Sequence, residues 1–265
     1  NAHGLLVTGV PGERRVYPRA ATSAEGLPPA DLVLVLTDSA STREAGRIAG
    51  RVLAEDGVVL TLQNGIGNGE ALAEVLPGRI IATGSTYNSA AYVGPGHVAH
   101  TNLGGTVLGD LAGPVGAVHE RLAARLNAIG FPAEAIPDVA GHVWQKFSLN
   151  CALNPVAAAT GMRSGEIYRY PPARALLEDI LAEIEAVLKA RGLVLPDGNL
   201  TAHVLEHAHK RYNRPSMLQH VEMGLEPELG ALNEALIAEG ERLGVPTPHN
   251  RTLCQIVRSI AERNR

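Results

Sequence analysis

The hydrophobic rhythm of the chain changes about half-way along. Up to about residue 137, short aliphatic runs alternate with amphipathic stretches; beyond it, apolar residues recur at three- and four-residue intervals. Leu32 to Leu36 is an unbroken aliphatic run of strand length, the pattern of a parallel strand covered on both faces. Thr42 to Glu55 reads as the helix after it, with Ser41 or Thr42 as N-cap. Val58 to Leu62 is the next strand, and Gln63-Asn64-Gly65 stands at its C-terminal end, where open α/β sheets bind ligands. Asn-Gly pairs are also common turn formers, so the sequence leaves both readings open here. Arg79 to Thr86 and the segments around His97 to His100 and Thr106 to Leu108 predict further strands, with Gly94-Pro95-Gly96 as a turn. The opening residues, Asn1 to Thr8, read as a strand or hairpin.

The second half predicts helices. Leu176, Leu177, Ile180, Leu181, Ile184 and Leu188 place an apolar stripe on a helix over Ala173 to Arg191. Leu229 to Leu243 repeats the pattern, with Gly244 as a stop and Pro246 beyond it, and a last helix covers Arg251 to Arg263. The division predicts an α/β domain over residues 1–137 and an all-helical domain over 138–265, with a ligand site expected in the cleft between them. An α/β nucleotide-binding half normally opens with a strand, a Gly-rich turn and a helix, yet no Gly-x-Gly-x-x-Gly precedes Asp31.

One candidate site stands out in the helical half. Lys146, Asn150 and Asn154 follow one another at steps of four, so on a helix they stack along one stripe. Phe147, Leu149, Cys151 and Leu153 cover much of the remaining circumference, which makes the helix largely buried. An ammonium and two amides on such a helix are costly unless something polar meets them. A small ligand bearing a carbonyl or hydroxyl would do so, and so would a hydrogen-bonded network to a neighbouring helix; spacing alone favours neither.

Lys146-x-x-x-Asn150-x-x-x-Asn154-Pro155 resembles the catalytic helix of the ketopantoate reductase (2-dehydropantoate 2-reductase) family. Further segments resemble that family in the same order: Gln63 to Asn68, Gly84 to Ala90 with Gly94 to Gly96, Asn213 to Gln219, Gly224 to Glu228, and Pro246 to Asn250. The resemblance implies a Rossmann-like parallel sheet followed by a helical domain for substrate and dimerisation, and an enzyme that reduces a 2-oxo acid with NADPH in pantothenate biosynthesis. It implies Lys146 and Glu228 as catalytic residues and Asn150, Asn154, Ser164, Asn213 and Ser216 as substrate contacts. Asn64, Ala90 and Glu228 are implied at the cofactor. From the residues alone, Glu228 reads equally well as an acid at a helix start, and Asn213 and Ser216 as a helix cap. Against the family the chain is expected to lack its first βαβ unit, on the order of 30 to 40 residues. It departs from the family at Asp38, where a lysine is frequent and a carboxylate would repel phosphate. Ser164 stands for an asparagine, and His220 and Gly230 for acidic residues, changes that suit a related 2-oxo acid.

Composition narrows the classes without choosing among them. With 45% hydrophobic and 3% aromatic residues, the cores are aliphatic, and a net charge of −4 offers no footprint for nucleic acid. No apolar run reaches bilayer length, and two cysteines, Cys151 and Cys254, suit a reducing cytoplasm better than a disulfide framework. Cys151 reads as a small core hydrophobe. His203, His207, His209 and Glu206 have spacing that could reach a metal, but they read as a solvated polar helix. His97 and His100 read as structural, and Glu178, Glu183 and Glu185 as the solvated side of a helix. Three functions remain: a ketopantoate reductase or close relative, a dehydrogenase of another hydroxy or amino acid, and a catalytically idle homologue serving binding or oligomerisation. A homodimer is compatible with each.

Overall fold

In the computed structural model, which describes residues 3–264, the chain separates into two compact units. One comprises Asn1–Gln63 with Gly67–Ala140, the other Asn64–Ile66 with Gly141–Arg265. The first opens with a hairpin, β1 (Leu5–Gly9) and β2 (Arg14–Val16), paired antiparallel. The part of the expected opening strand that falls on Asn1 and Ala2 lies outside the described residues. Next come β3 (Ala30–Val35), a 3₁₀ turn at Ser39–Ser41, α1 (Thr42–Val52) and β4 (Leu53–Thr61). They lead to α2 (Asn68–Val75) and β5 (Ile80–Thr86). The unit ends with β6 (Ser89–Gly94), β7 (His97–Asn102), β8 (Thr106–Asp110), α3 (Ala117–Ala128) and β9 (Ala133–Ala135).

A five-stranded sheet runs in the order β3-β4-β5-β8-β9 and is parallel except between β5 and β8. Side chains alternate across β4, and both faces are covered. Val59 joins Ala49, Leu72, Leu76 and Ile81 under α1 and α2, while Val58 and Leu60 join Ala82, Leu108, Leu122 and Leu126 under α3. The remaining strands form a smaller sheet, β2-β1-β7-β6. The histidines of β7 are structural there, as expected: His97 Nε2 lies 3.0 Å from Thr8 Oγ1, and His100 Nε2 lies 3.2 Å from Asn88 Oδ1.

Several sequence expectations need correction. Among the described residues β3 is an edge strand, paired with β4 alone, and Leu34 and Leu36 are 46% and 60% exposed rather than covered. The helix expected to reach Glu55 stops at Val52, because Leu53 turns extended and joins β4. Arg79 holds that turn by donating to the carbonyls of Leu53, Ala54 and Glu55. Ser41 makes no side-chain cap bond, and the Thr42 hydroxyl donates instead to Asn68 Oδ1 at 2.9 Å. Helix α2 went unread because eight residues are too few for a hydrophobic repeat to register. Helix α3 is likewise absent from the sequence expectations, although Val118, Leu122 and Leu126 stand one turn apart.

The second unit is helical: α4 (Val139–Thr160), α5 (Ser164–Arg169), α6 (Pro171–Arg191), α7 (Leu200–Lys210), α8 (Ser216–Glu222), α9 (Asn233–Leu243) and α10 (Pro248–Arg263). A single core joins Phe147, Cys151 and Val156 of α4 to Leu177, Ile180 and Ile184 of α6 and to residues of α7 to α10. No helix among the described residues is long and apolar enough to cross a membrane. Helix α9 starts four residues later than its pattern predicts, because Leu229 to Leu232 fold as a turn and Leu232 departs from helical dihedrals. Gly244 terminates it with a φ of 71°, a left-handed cap as expected. Helix α7 is amphipathic rather than polar throughout, burying Leu200, Val204 and Ala208.

Glu183 is the largest departure from the sequence reading. It is 8% exposed, not solvated. Its Oε1 accepts from the backbone N–H and Nδ1 of His249 at 2.7 and 2.8 Å. Its Oε2 accepts from the backbone N–H and side-chain amide of Asn250 at 3.0 and 2.7 Å. The carboxylate thus seats the first turn of α10, where orphan N–H groups and the helix dipole favour negative charge. Glu185, two residues on, does the same for α7 by accepting from the N–H and hydroxyl of Thr201. Glu178 does face solvent, paired with Arg174. Glu183→Ala should therefore lower Tm by roughly 10 °C, since it strands several buried donors at once. Glu178→Ala on the same helix should leave Tm unchanged in the same thermal melts.

Candidate active site

Lys146 lies in the second turn of α4, and its side chain is half-buried. Its Nζ donates to Asn64 Oδ1 at 3.0 Å. Asn64 belongs to the three-residue segment, Asn64–Ile66, that packs with the helical unit, and Ile66 rests against the helical core. The segment comes so close because Gly65 has no side chain. A Cβ there would stand 2.6 Å from the Ala231 carbonyl oxygen, and the residue's φ of 92° disfavours any other amino acid. The Asn-Gly pair, for which sequence alone leaves both a turn and a ligand contact open, is a built contact with the lysine.

Burial pushes the Lys146 ammonium down from its ordinary value to about 8, and the negative charge of Glu228 acts in the opposite direction. Glu228 is half-buried in the turn that precedes α9 and is not the first-turn acid of a helix. Lys146 is thus bonded to Asn64 and lies within reach of the charge of Glu228. Asn150 and Asn154 continue up α4 at the predicted helical steps; Asn150 is half-buried and Asn154 buried.

The other expected residues stand on or beside other elements. Ser164 opens α5 at 1% exposure, and its N–H donates to the Asn213 carbonyl at 3.2 Å. Asn213 and Ser216 are exposed at the start of α8, whose N-cap is Pro215, so neither side chain caps that helix. Ala90 lies in the first unit, exposed on β6 and paired with His100. Asp38 is exposed just ahead of the 3₁₀ turn. On α7, His203 Nδ1 lies 2.6 Å from Asp197 Oδ2, and the His209 ring packs on Tyr168. Burial, with the charges of Arg211 and His203, holds His207 down at about 4. Cys151 and Cys254 are free and buried, as core hydrophobes are.

Sequence reasoning missed the residues behind the site. Pro155 lies inside α4 and lacks an N–H, so the carbonyl four residues back, that of Cys151, loses its helical donor. The Asn233 side-chain amide donates to that carbonyl at 2.8 Å and to Asn250 Oδ1 at 2.9 Å. A proline in a predicted buried helix was the available signal, because its orphaned carbonyl requires a partner. Gln145 and Asp197 form a reciprocal pair, with Gln145 Nε2 donating to the carboxylate at 3.0 Å and Gln145 Oε1 accepting the Asp197 N–H at 3.1 Å.

Comparison with known proteins identifies the family. The family model described as ketopantoate reductase PanE/ApbA matches residues 1–113, and its C-terminal companion matches residues 138–261. The chain belongs to the ketopantoate reductase family. A 2-dehydropantoate 2-reductase of Archaeoglobus fulgidus is 32% identical over 258 residues, covering 97% of this chain and 84% of the relative. Among solved structures, a PanE/ApbA family ketopantoate reductase from Ralstonia eutropha JMP134 superposes with a TM-score of 0.90 at 31% identity, covering 99% of this chain and 86% of that one. A D-mandelate dehydrogenase in ternary complex with NADH and anilino(oxo)acetate shares the fold, with a TM-score of 0.89 at 22% identity over 99% of this chain and 86% of that one. The family's oxidoreductase fold, a Rossmann-like α/β part followed by helices, is thus the fold of this chain.

The electrostatics of the lysine can be tested without any substrate. In NMR titrations of isotopically labelled lysine, Lys146 should titrate near 8. Glu228→Gln should lower that value further, because it removes the charge that favours the ammonium. A rise in the Glu228→Gln variant would contradict the arrangement described.

Proposed function

We propose that this chain reduces a 2-oxo acid with NADPH, with 2-dehydropantoate as substrate and pantoate, for pantothenate biosynthesis, as product. The observation that carries the reading is Lys146, a half-buried ammonium held by Asn64 and facing the charge of Glu228. Reducing a ketone places a hydride on carbon and a proton on oxygen. Lys146 is the residue here that can deliver the proton or stabilise the developing alkoxide. A proton affinity near 8 suits a donor at neutral pH: the group is mostly charged, yet gives up its proton more readily than an ordinary lysine.

The residues present fit a nicotinamide nucleotide. Strand β4 ends in a Gly-rich turn, where Gly65 and Gly67 have φ of 92° and 81° and no atom lies within 4 Å of where a Cβ on Gly67 would stand. The turn opens onto the N-terminus of α2, the end of a helix that attracts negative charge. When bound, the reduced cofactor supplies the hydride to the carbonyl carbon. Asn64, Ala90 and Glu228 are the residues of this reading that meet it. Asn64 also accepts from the lysine and so directs the ammonium. Asn150 and Asn154 offer amides to the substrate along the same helical stripe as Lys146. Asn213 and Ser216 add exposed polar contacts, and Ser164 supports them through its bond to the Asn213 carbonyl.

The deciding experiment follows NADPH oxidation with 2-dehydropantoate, then with other 2-oxo acids, and repeats both with NADH. Turnover fastest with 2-dehydropantoate and NADPH is expected. Turnover with a different 2-oxo acid alone would move the substrate assignment, and none with any substrate would leave a binding module. Lys146→Ala should lower kcat by roughly 10²-fold, the scale for losing a positioned donor. Asn150→Ala should act mainly through KM, since an amide contact is made in ground and transition states alike. In the unmodified protein kcat/KM should fall as pH rises through about 8, where Lys146 loses its proton. Near-normal turnover by a folded Lys146→Ala variant would make the stripe structural.

A further inference from the structure

We propose that Asn233 is a positioning residue, which holds the Glu228 turn in register with the Lys146 helix by capping the carbonyl that Pro155 leaves open. The proposal rests on the reading of Lys146 and Glu228 as proton donor and charge partner. Its starting point is a defect in α4. Each helical carbonyl normally accepts from the N–H four residues on, and for Cys151 that position is Pro155, which has none. Cys151 is fully buried, so water cannot repair the loss. Asn233, 82 positions away in sequence, supplies the missing donor at 2.8 Å.

That amide cannot point any other way. The backbone N–H groups of His249 and Asn250 fix Glu183 as an acceptor. Glu183 draws the Asn250 NH₂ toward itself, which turns Asn250 Oδ1 to face Asn233. Two acceptors, Asn250 Oδ1 and the Cys151 carbonyl, then both require the NH₂ of Asn233. The orientation is passed along four helices from the backbone of α10 to the backbone of α4.

Asn233 is also the first residue of α9, and the turn before it carries Glu228. This turn has little freedom. Leu229 and Leu232 are buried in the core, the Leu232 N–H donates to the Leu229 carbonyl at 3.2 Å, and the Glu234 N–H donates to the same carbonyl at 2.9 Å. The Ala231 carbonyl is the surface on which Gly65 rests. Fixing Asn233 on α4 therefore fixes the charge of Glu228 beside Lys146 and the platform beneath the Asn64 loop. Its attachment point lies five residues beyond Lys146 and between the two substrate amides, Asn150 and Asn154.

A merely structural asparagine would change Tm and little else; a positioning one must also change the chemistry of Lys146. The test is the pH dependence of kcat/KM for the unmodified protein, Glu228→Gln, Asn233→Ala and the combined variant, with Tm measured alongside. Glu228→Gln should move the alkaline limb to lower pH, because the charge that favours the ammonium is gone. Asn233→Ala should move it in the same direction and lower kcat by roughly ten-fold, the scale of a small misplacement at a reacting centre. The combined variant should move the limb no further than Glu228→Gln alone. Should Asn233→Ala fail to fold, Pro155→Ala added to it returns an N–H to the Cys151 carbonyl. Recovered folding with a displaced limb supports the proposal. A limb and kcat that stay normal in Asn233→Ala, or return fully with Pro155→Ala, overturn it, since satisfying the carbonyl was then the whole task. An unmoved limb in Glu228→Gln overturns the underlying reading of Lys146, and the proposal with it.

Discussion

A carboxylate buried at the start of α10 is the fixed point of the helical unit. Burying Glu183 is tolerable only because backbone and side-chain donors saturate both of its oxygens and a helix N-terminus faces it. A carboxylate so placed can only accept, and that restriction orients every polar group linked to it: first Asn250, then Asn233, then the Cys151 carbonyl. Apolar packing between α4, α6, α9 and α10 supplies the bulk attraction but tolerates small slides between helices. The polar chain does not, since a shift of one ångström breaks hydrogen bonds that buried groups cannot replace. Adhesion and register therefore have different physical sources in this unit.

The buried lysine runs against stability. A group whose proton is held less tightly in the folded protein than in the unfolded chain destabilises the fold wherever the unfolded chain keeps the proton. For Lys146, at about 8 against an ordinary 10.5, the cost is complete below the lower value and fades as pH rises toward the upper one. Asn64 and Glu228 reduce the cost without abolishing it, because a full ion pair would return the lysine to ordinary basicity. A fold that only needed to be stable would place a methionine or leucine there. An ammonium that burial makes easier to deprotonate, beside a close-packed glycine loop, is what the proposed reactivity requires.

Periodicity made the large elements legible and failed where burial was polar. The stripe of Lys146, Asn150 and Asn154, the α6 pattern and the Gly244 cap could all be read, because they depend on spacing and backbone conformation within one element. Glu183 could not. Its spacing on α6 suits the solvated face, and only the folded chain shows that α10 begins against it. Leu34 failed in the opposite sense: an unbroken aliphatic run suggests cover on both faces, but cover depends on what packs over each face. Asn233 carried no periodic signal at all, and its partner is a backbone carbonyl that a proline set free 78 residues earlier in the chain. Pairings across such separations are set by tertiary packing, which a local pattern does not encode.

The backbone also says little about which substrate the site accepts. This chain superposes almost equally well on a ketopantoate reductase at 31% identity and on a D-mandelate dehydrogenase at 22%, with TM-scores of 0.90 and 0.89. One fold thus occurs in proteins named for different activities, so the fold alone does not set the substrate. In this chain the residues free to vary are those outside the polar interlock. Lys146 is bonded to Asn64 and feels the charge of Glu228, and Asn233 and Asn250 are tied to the packing of four helices, so substitution there disturbs the site or the fold. Asn213 and Ser216 stand exposed at the start of α8, and neither side chain caps it. In the proposed reading, a change at these positions would alter what is recognised while leaving Lys146 and its supports in place, the separation needed for one mechanism to serve several 2-oxo acids.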